Sequence, residues 1–172
     1  HRHRAGRFVT GGFGTFCWLK GGDLLARCAG AAAARAEELG SAGWDFRWVG
    51  HCGEDAEALL AAVAADGLAD RLSFLGEHAR PLELVAEFDV LALLSRQDSY
   101  PLAMSEAALV GVPTLAQRGS GGPEQFAGGG GAAVVDAEDH DAVLRALQTL
   151  DRHPELRTLM AEAGRRTVLR EQ

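Results

Sequence analysis

Short apolar runs alternate along this chain with longer segments in which apolar residues recur at the period of a helix. This alternation constrains the fold most, because strands that alternate with helices build parallel βαβ units. The runs predict strands at residues 7–12, 45–49, 72–75, 89–94, 113–117 and 132–135. The helical segments lie at residues 23–39, 54–66, 101–110, 139–150 and 154–170, with a further helix from residue 81 and a short turn at 124–127. The sequence therefore predicts an α/β fold with a doubly wound, Rossmann-like parallel sheet of six strands.

The run at residues 90–94 is apolar at every position, as expected for a strand that helices cover on both faces of a parallel sheet. Right-handed crossovers bring the loops that follow such strands to one edge of the sheet, where ligands bind. We call this the ligand edge. Its loops are predicted at residues 11–22, 50–54, 76–80, 95–101 and 118–123.

Length and charge limit the possible classes of protein. The 172 residues suffice for one core, so residues 1–172 are predicted to form a single domain. Residues 1–6 are expected to be disordered or foreign to the natural protein, as if a longer chain had been cut there. The formal net charge of −7 disfavours nucleic acid and anionic membrane as partners. Three cysteines without a pairing pattern favour a reduced, cytoplasmic setting, and no apolar run has transmembrane length.

A glycine-rich segment that includes Gly12 and Gly14 follows the first predicted strand. Glycines at such a place let the backbone approach a phosphate closely. The spacing is not that of a dinucleotide fingerprint, so a plain tight turn is an equal alternative. Lys20 lies just before the first helix, where its ammonium group and the free helical N–H groups could hold an anion. A solvated surface lysine is the alternative.

The segment at residues 95–107 follows the most buried predicted strand. Pro101 suits the first turn of a helix, so the N–H groups of Tyr100, Leu102 and Ala103 are expected to face the ligand edge beside Asp98. A diphosphate could bind there without a metal. The alternative is that Asp98 is only a helix cap.

Glu106 lies about 7.5 Å further along that helix by its rise per residue, where a carboxylate can accept both hydroxyls of a ribose. It shares a face with Leu102 and lies next to Leu109 and Val110. We therefore expect its side chain to point toward protein and to need a partner. The alternative is a glutamate that faces solvent.

Several ordered motifs together resemble the C-terminal, donor-binding domain of retaining glycosyltransferases of family 4, which have the GT-B fold. The likeness runs from about residue 7 to residue 170. The motifs are Lys20-Gly21-Gly22-Asp23-Leu24 at the first helix, Trp48-Val49-Gly50, Phe74-Leu75-Gly76, the acids Asp98 and Glu106 with Ala107, Gly111-Val112-Pro113, and Gly121-Gly122-Pro123-Glu124.

The resemblance implies a hexosyltransferase that takes a sugar from a nucleoside diphosphate with retention at the anomeric carbon. Lys20 and Asp98 are the implied catalytic residues: Lys20 would neutralise the diphosphate, and Asp98 would contact the donor sugar. Glu106 would bind the ribose, and no metal or other cofactor is expected. The other implied donor-binding residues are Gly12, Gly14, Gly50, His78, Tyr100, Pro101, Leu102, Gly121 and Gly122. His78 could stack on the base or be a solvated loop residue.

The implied acceptor, a sugar or glycan, is expected on a separate N-terminal domain, so that this domain alone would be inactive. Leu19 stands where related sequences often have arginine, so one charge partner of the diphosphate is absent or supplied by Arg7. Gln97 stands where a second acid is common. These departures leave open a nucleotide-sugar-binding module without catalysis, and an epimerase of the same architecture is a third interpretation. A zinc site at His51 and Cys52 is not expected, because no second pair follows at ligand spacing.

Overall fold

A computed structural model describes residues 7–98, 101–120 and 123–170. The expectation for residues 1–6 lies outside these ranges. The strands are β1 (Phe8–Phe13), β2 (Trp44–Val49), β3 (Ser73–Phe74), β4 (Val90–Leu93), β5 (Thr114–Gln117) and β6 (Ala132–Val135). The helices are α1 (Gly22–Ala34), α2 (Ala36–Leu39), α3 (Ala56–Ala65), α4 (Pro81–Val85), α5 (Leu102–Leu109), α6 (Pro123–Gly128), α7 (His140–Arg152) and α8 (Pro154–Arg170).

These strands form one parallel sheet in the order β3-β2-β1-β4-β5-β6. The chain proceeds outward from β1 to β3, returns to β4 beside β1, and proceeds outward on the other side. The strand order therefore reverses between β1 and β4, and such a reversal opens a crevice for ligands at the carboxyl ends of the strands. The predicted fold class is confirmed, and every predicted strand lies within one residue of its observed bounds.

The central strand β4 is buried on both faces, as the sequence predicted. Val90 and Ala92 belong to the core cluster that α1 and α7 complete. Leu91, between them, packs with Val85 of α4 and Ala107 of α5 on the opposite face. Because helices cover both faces of the sheet, the ends of the strands are the places left for a ligand.

The helix predicted at residues 23–39 is interrupted at Arg35, which has φ −114° and ψ 28°. The guanidinium of Arg35 hydrogen-bonds Glu38 within α2 and Asp141 of α7. These contacts hold Arg35 at the junction of two separate helices, α1 and α2. The predicted C-terminal cap is confirmed, since Gly40 follows α2 with a φ of 68°.

Three other helix bounds differ from the predictions. The helix predicted at residues 54–66 is limited to α3, because the carboxylate of Asp55 accepts a hydrogen bond from the N–H of Trp18 instead of capping the helix. The helix predicted at residues 101–110 begins at Leu102, and Pro101 precedes it in an extended conformation. The turn predicted at residues 124–127 is part of α6.

Helix α8 is anchored at the amino end of the sheet by a buried ion pair. Arg157 Nη2 lies 3.3 Å from Asp89 Oδ1, with both side chains 10% exposed. Asp89 Oδ2 in turn accepts a hydrogen bond from the N–H of Val9 in β1 at 2.8 Å. Across the described ranges, none of the helices, including α8 with its 17 residues, has the length and hydropathy of a membrane span.

Gly131 and Gly164 bring the start of β6 against α8. A Cβ atom on Gly131 would lie 2.5 Å from the Cα of Gly164, and neither backbone can yield easily. We expect Gly131→Ala to lower the free energy of unfolding by about 1–3 kcal/mol through this overlap. Gly128→Ala is the matched control, because nothing lies within 4 Å of its added Cβ. Urea unfolding followed by circular dichroism measures both variants, and a Gly131→Ala midpoint equal to that of the parent would contradict this packing.

Candidate functional site

Two loops meet where the strand order reverses: the β1–α1 loop (residues 14–21) and the β4–α5 loop (residues 94–101, of which 99 and 100 lie outside the described ranges). The N–H of Arg96 donates to the carbonyl oxygen of Leu19 at 2.9 Å. Gly21 has a φ of 75°, and a Cβ there would lie 2.3 Å from the carbonyl oxygen of Leu94. Only glycine fits this position, so the two loops pack backbone against backbone.

The ammonium group of Lys20, in the β1–α1 loop, forms an ion pair with Asp98 of the β4–α5 loop. Lys20 Nζ lies 2.5 Å from Asp98 Oδ2, and the side chains are 33% and 12% exposed. The hydroxyl of Ser95 lies 3.5 Å from the same carboxylate oxygen, and the N–H of Asp98 donates to the carbonyl of Ser120 at 3.0 Å. Asp98 does not cap α5, which has no side-chain cap. The structure therefore joins the two residues that the resemblance implied as catalytic.

The amino end of α1 lies directly after Lys20. Gly21 precedes this helix without a side-chain cap. The N–H groups of Asp23 and Leu24 form no hydrogen bond with any residue of the described ranges. Unpaired N–H groups at a helix start carry partial positive charge. An anion site beside Lys20 stays a prediction, with a geometry that suits it.

Glu106, on α5, is a half-buried carboxylate. Burial raises its pKa, and none of the described residues hydrogen-bonds it or forms an ion pair with it. The Glu106 side chain is half-buried, whereas its neighbours Leu102 and Leu109 are 66% and 40% exposed, and the partner expected for it stays a prediction. Helix α5 buries only the side that carries Met104, Ala107 and Ala108. Glu106 lies at the border of that buried side, where a ligand can reach it.

Two of the predicted glycines have packing roles. A Cβ on Gly12 would lie 2.2 Å from the Trp48 ring, and a Cβ on Gly50 would lie 2.1 Å from the carbonyl oxygen of Gly14. Gly14 itself has a φ of 115°, and nothing lies within 4 Å of its Cβ position. Gly14 therefore leaves open space at the ligand edge, and contacts of all three with a donor stay predictions.

His78 is exposed, and its Nδ1 accepts a hydrogen bond from the N–H of Arg80 at 3.2 Å. This contact is local, so stacking of His78 on a base stays a prediction. The predicted donor-binding residues Tyr100, Gly121 and Gly122 lie outside the described ranges.

Arg7 cannot supply the charge partner that Leu19 lacks. It precedes β1 at the amino edge of the sheet and pairs there with Asp45 at 3.7 Å. The residue that sequence reasoning missed is Arg96, which belongs to the segment we singled out but received no role. Its guanidinium forms two 2.8 Å hydrogen bonds with the carboxylate of Asp23. The sequence feature that could have identified Arg96 is its position as the one arginine of a loop that was expected at the ligand edge.

Metal ligands do not gather at this edge in the described residues. In those ranges, no three His, Cys, Asp or Glu side chains lie together as a metal site requires. His51 Nδ1 lies 3.6 Å from Glu77 Oε1, and both side chains are exposed.

Comparison with known families bears directly on this site. Residues 7–153 match the family model described as Glycosyl transferases group 1. The chain belongs to this family. A curated protein with a similar sequence is the N-acetyl-alpha-D-glucosaminyl L-malate synthase of Bacillus anthracis. That protein is 33% identical over 99 residues, which are 58% of this chain and 26% of that protein.

Solved structures share the fold of this group 1 glycosyltransferase domain. HepE of Anabaena in complex with UDP superimposes with a TM-score of 0.81 at 19% identity, over 96% of this chain and 45% of HepE. The C-terminal domain of LpcC from Francisella tularensis gives a TM-score of 0.74 at 20% identity, over 96% of this chain and 86% of that one. The chain thus has the fold of one half of a GT-B glycosyltransferase, and it spans less than half the length of HepE.

The carboxylate of Glu106, which has no partner in the part of the chain that the structure describes, should lower the stability of the domain when no donor is added. When the pKa of an acid is higher in the folded state than in the unfolded state, the protein becomes less stable as the pH rises from the unfolded-state pKa through the folded-state pKa. Glu106→Gln should therefore raise the midpoint of thermal unfolding slightly at pH 7, and this gain should vanish below the unfolded pKa of about 4.3. Calorimetry across this pH range measures the effect. Glu162→Gln on α8, where the side chain is 61% exposed, is the control, and a loss of stability in Glu106→Gln at pH 7 would show that Glu106 has a partner.

Proposed function

We propose that this domain binds the nucleotide-sugar donor of a retaining hexosyltransferase. The observation that carries the proposal is the half-buried carboxylate of Glu106, which has no partner among the described residues. It lies on α5, the helix that follows the loop with the Lys20–Asp98 ion pair, in a group 1 glycosyltransferase domain. HepE, which shares the fold, has been solved with UDP, with UDP and glucose, and with UDP-glucose. A nucleoside diphosphate sugar is the ligand that would use an ammonium group and two carboxylates together.

Each group has a distinct role in the proposal. The ammonium group of Lys20 and the N–H groups at the start of α1 stabilise the diphosphate, as does the backbone from Tyr100 to Leu102. The carboxylate of Asp98 accepts hydrogen bonds from hydroxyls of the donor sugar, and that of Glu106 accepts them from the ribose. Charge stabilisation by fixed donors of this kind can replace a divalent cation.

The reaction follows from these roles. The bond between the anomeric carbon and the diphosphate oxygen breaks, and a bond to an acceptor hydroxyl oxygen forms with the same configuration. The electron pair leaves with the diphosphate, which takes up the proton released by the acceptor hydroxyl. Lys20 and the helix start stabilise the charge that develops on the diphosphate. The acceptor is a sugar or glycan held by a second, N-terminal domain, whose closure excludes water from the site. A cytoplasmic setting, where nucleotide sugars are available and cysteines stay reduced, completes the proposal; the cysteines Cys17, Cys28 and Cys52 are free.

A nucleotide-sugar-binding module without catalysis is the second candidate. Leu19 and Gln97 favour it, because both side chains are exposed at the ligand edge and neither carries a charge. The two candidates agree on donor binding and differ on transfer. The epimerase interpretation has no comparable support, since the chain belongs to a glycosyltransferase family.

We expect the 172-residue chain to bind a nucleoside diphosphate (UDP, GDP or ADP). Its affinity for that nucleotide should be the same in the presence and in the absence of EDTA. Glu106→Ala should weaken that binding about ten- to a hundredfold, through loss of a charged hydrogen-bond acceptor. Asp98→Ala is the matched control. It should leave nucleotide affinity unchanged or higher, because it removes a sugar contact and releases Lys20. Titration calorimetry measures the affinities, with thermal melting alongside to exclude unfolding. Parental affinity in both variants, or a strict requirement for Mg²⁺, would argue against the site.

The chain alone should transfer no sugar, because catalysis needs the acceptor within about 3–3.5 Å of the anomeric carbon. The measurement is turnover of labelled donor by this chain and by the same chain joined to its natural upstream sequence. Activity only in the longer protein supports the enzyme. Donor binding without turnover in either would favour the non-catalytic module, and robust turnover by this chain alone would refute the need for a second domain.

A further inference from the structure

Arg96 connects three segments of the ligand edge. Its guanidinium binds both carboxylate oxygens of Asp23, at the start of α1, with two hydrogen bonds of 2.8 Å. Within the β1–α1 loop, the carbonyl oxygen of Trp18 accepts from Nη1 at 2.6 Å, and the carbonyl oxygen of Leu19 accepts from the backbone N–H of Arg96 at 2.9 Å. Its Nε lies 3.3 Å from the carboxylate of Glu138, between β6 and α7.

These contacts surround Lys20 in the sequence. Leu19 precedes Lys20 and Asp23 follows it three residues later, and both form hydrogen bonds with Arg96. Arg96 also lies two residues before Asp98, the partner of the Lys20 ammonium group. Arg96 therefore contacts the chain on both sides of Lys20, with its side chain at Trp18 and Asp23 and with its backbone N–H at Leu19.

Arg96 is poorly placed to bind an anion itself. Two carboxylates, from Asp23 and Glu138, already face its guanidinium, and its Cζ atom lies 4.4 Å from the centre of the Trp18 ring. Its side chain is only 18% exposed. The planar fork of arginine suits this arrangement, since a lysine cannot make the two-point contact with Asp23.

We propose that Arg96 is the positioning residue for Lys20. It fixes the β1–α1 loop so that the ammonium group of Lys20 stands at the reversal of the sheet, within reach of Asp98 and of a bound diphosphate. The proposal rests on the proposed function, in which Lys20 binds the diphosphate. It extends that function by naming the residue that holds Lys20 in place.

A double-mutant cycle on UDP affinity separates positioning from mere stabilisation of the loop. The variants are Arg96→Gln, Lys20→Met and the double substitution in the 172-residue chain, measured by titration calorimetry. We expect Arg96→Gln to weaken UDP binding about tenfold when Lys20 is present and to have little effect when Lys20 is already Met. Arg166→Gln on α8, an arginine that is 60% exposed, is the control and should bind UDP like the parent.

The possible outcomes distinguish a failure of the proposed function from a failure of the positioning role of Arg96. If Lys20→Met binds UDP like the parent, the proposed function of Lys20 is wrong, and the role of Arg96 is wrong with it. If Lys20→Met weakens binding but Arg96→Gln does not, or if Arg96→Gln weakens it equally in both backgrounds, only the positioning role is overturned. Thermal melting identifies unfolding. Should Arg96→Gln fail to fold, the same cycle is run with Arg96→Lys, which keeps the charge and loses the two-point contact, with the same criteria.

Discussion

The end of β1 is covered by aromatic rings from neighbouring segments, and the site depends on this packing. A Cβ on Gly11 would lie 1.9 Å from the ring of Phe88, and one on Gly12 would lie 2.2 Å from the ring of Trp48 on the other face. Because β1 has no side chains here, the two rings fill the space above and below its backbone. The indole Nε1 of Trp48 also donates to the carbonyl oxygen of Gly14 at 2.9 Å. This packing fixes where the chain leaves the sheet, and the loop that carries Lys20 starts at that point.

The fold was predictable from the sequence because its signals are local. The signals for β4 are the clearest, because this strand is apolar at every position, so its burial by α1, α7, α4 and α5 could be expected. The break at Arg35 could not be expected, because it depends on contacts of that side chain with Asp141, 106 residues away. A helical period continues across the break, so it carries no local signal.

The sequence allowed us to predict which residues form the candidate site, but not which of them contact each other. Lys20, Asp98 and Glu106 were recognised from motifs, but the contact between Lys20 and Asp98 joins residues that are 78 apart in the chain. Arg96 was missed for the same reason, since its partner Asp23 is 73 residues away. Of the two alternatives for the charge partner beside Leu19, the one that named Arg7 is excluded because Arg7 precedes β1 and so lies at the opposite end of the strand from the ligand edge. Six residues of strand at about 3.3 Å each place it roughly 20 Å from the ligand edge.

In the ion pair of Lys20 and Asp98, each side chain neutralises the charge of the other. A ligand that brings only negative charge must take Lys20 from Asp98 and leaves that carboxylate, 12% exposed, without a cation. A ligand that joins an anion to neighbouring hydroxyl groups compensates both members at once, since hydroxyls can donate to a carboxylate. The ion pair therefore favours the binding of a molecule in which phosphate and sugar are covalently connected. A free phosphate and a free sugar would bind less well.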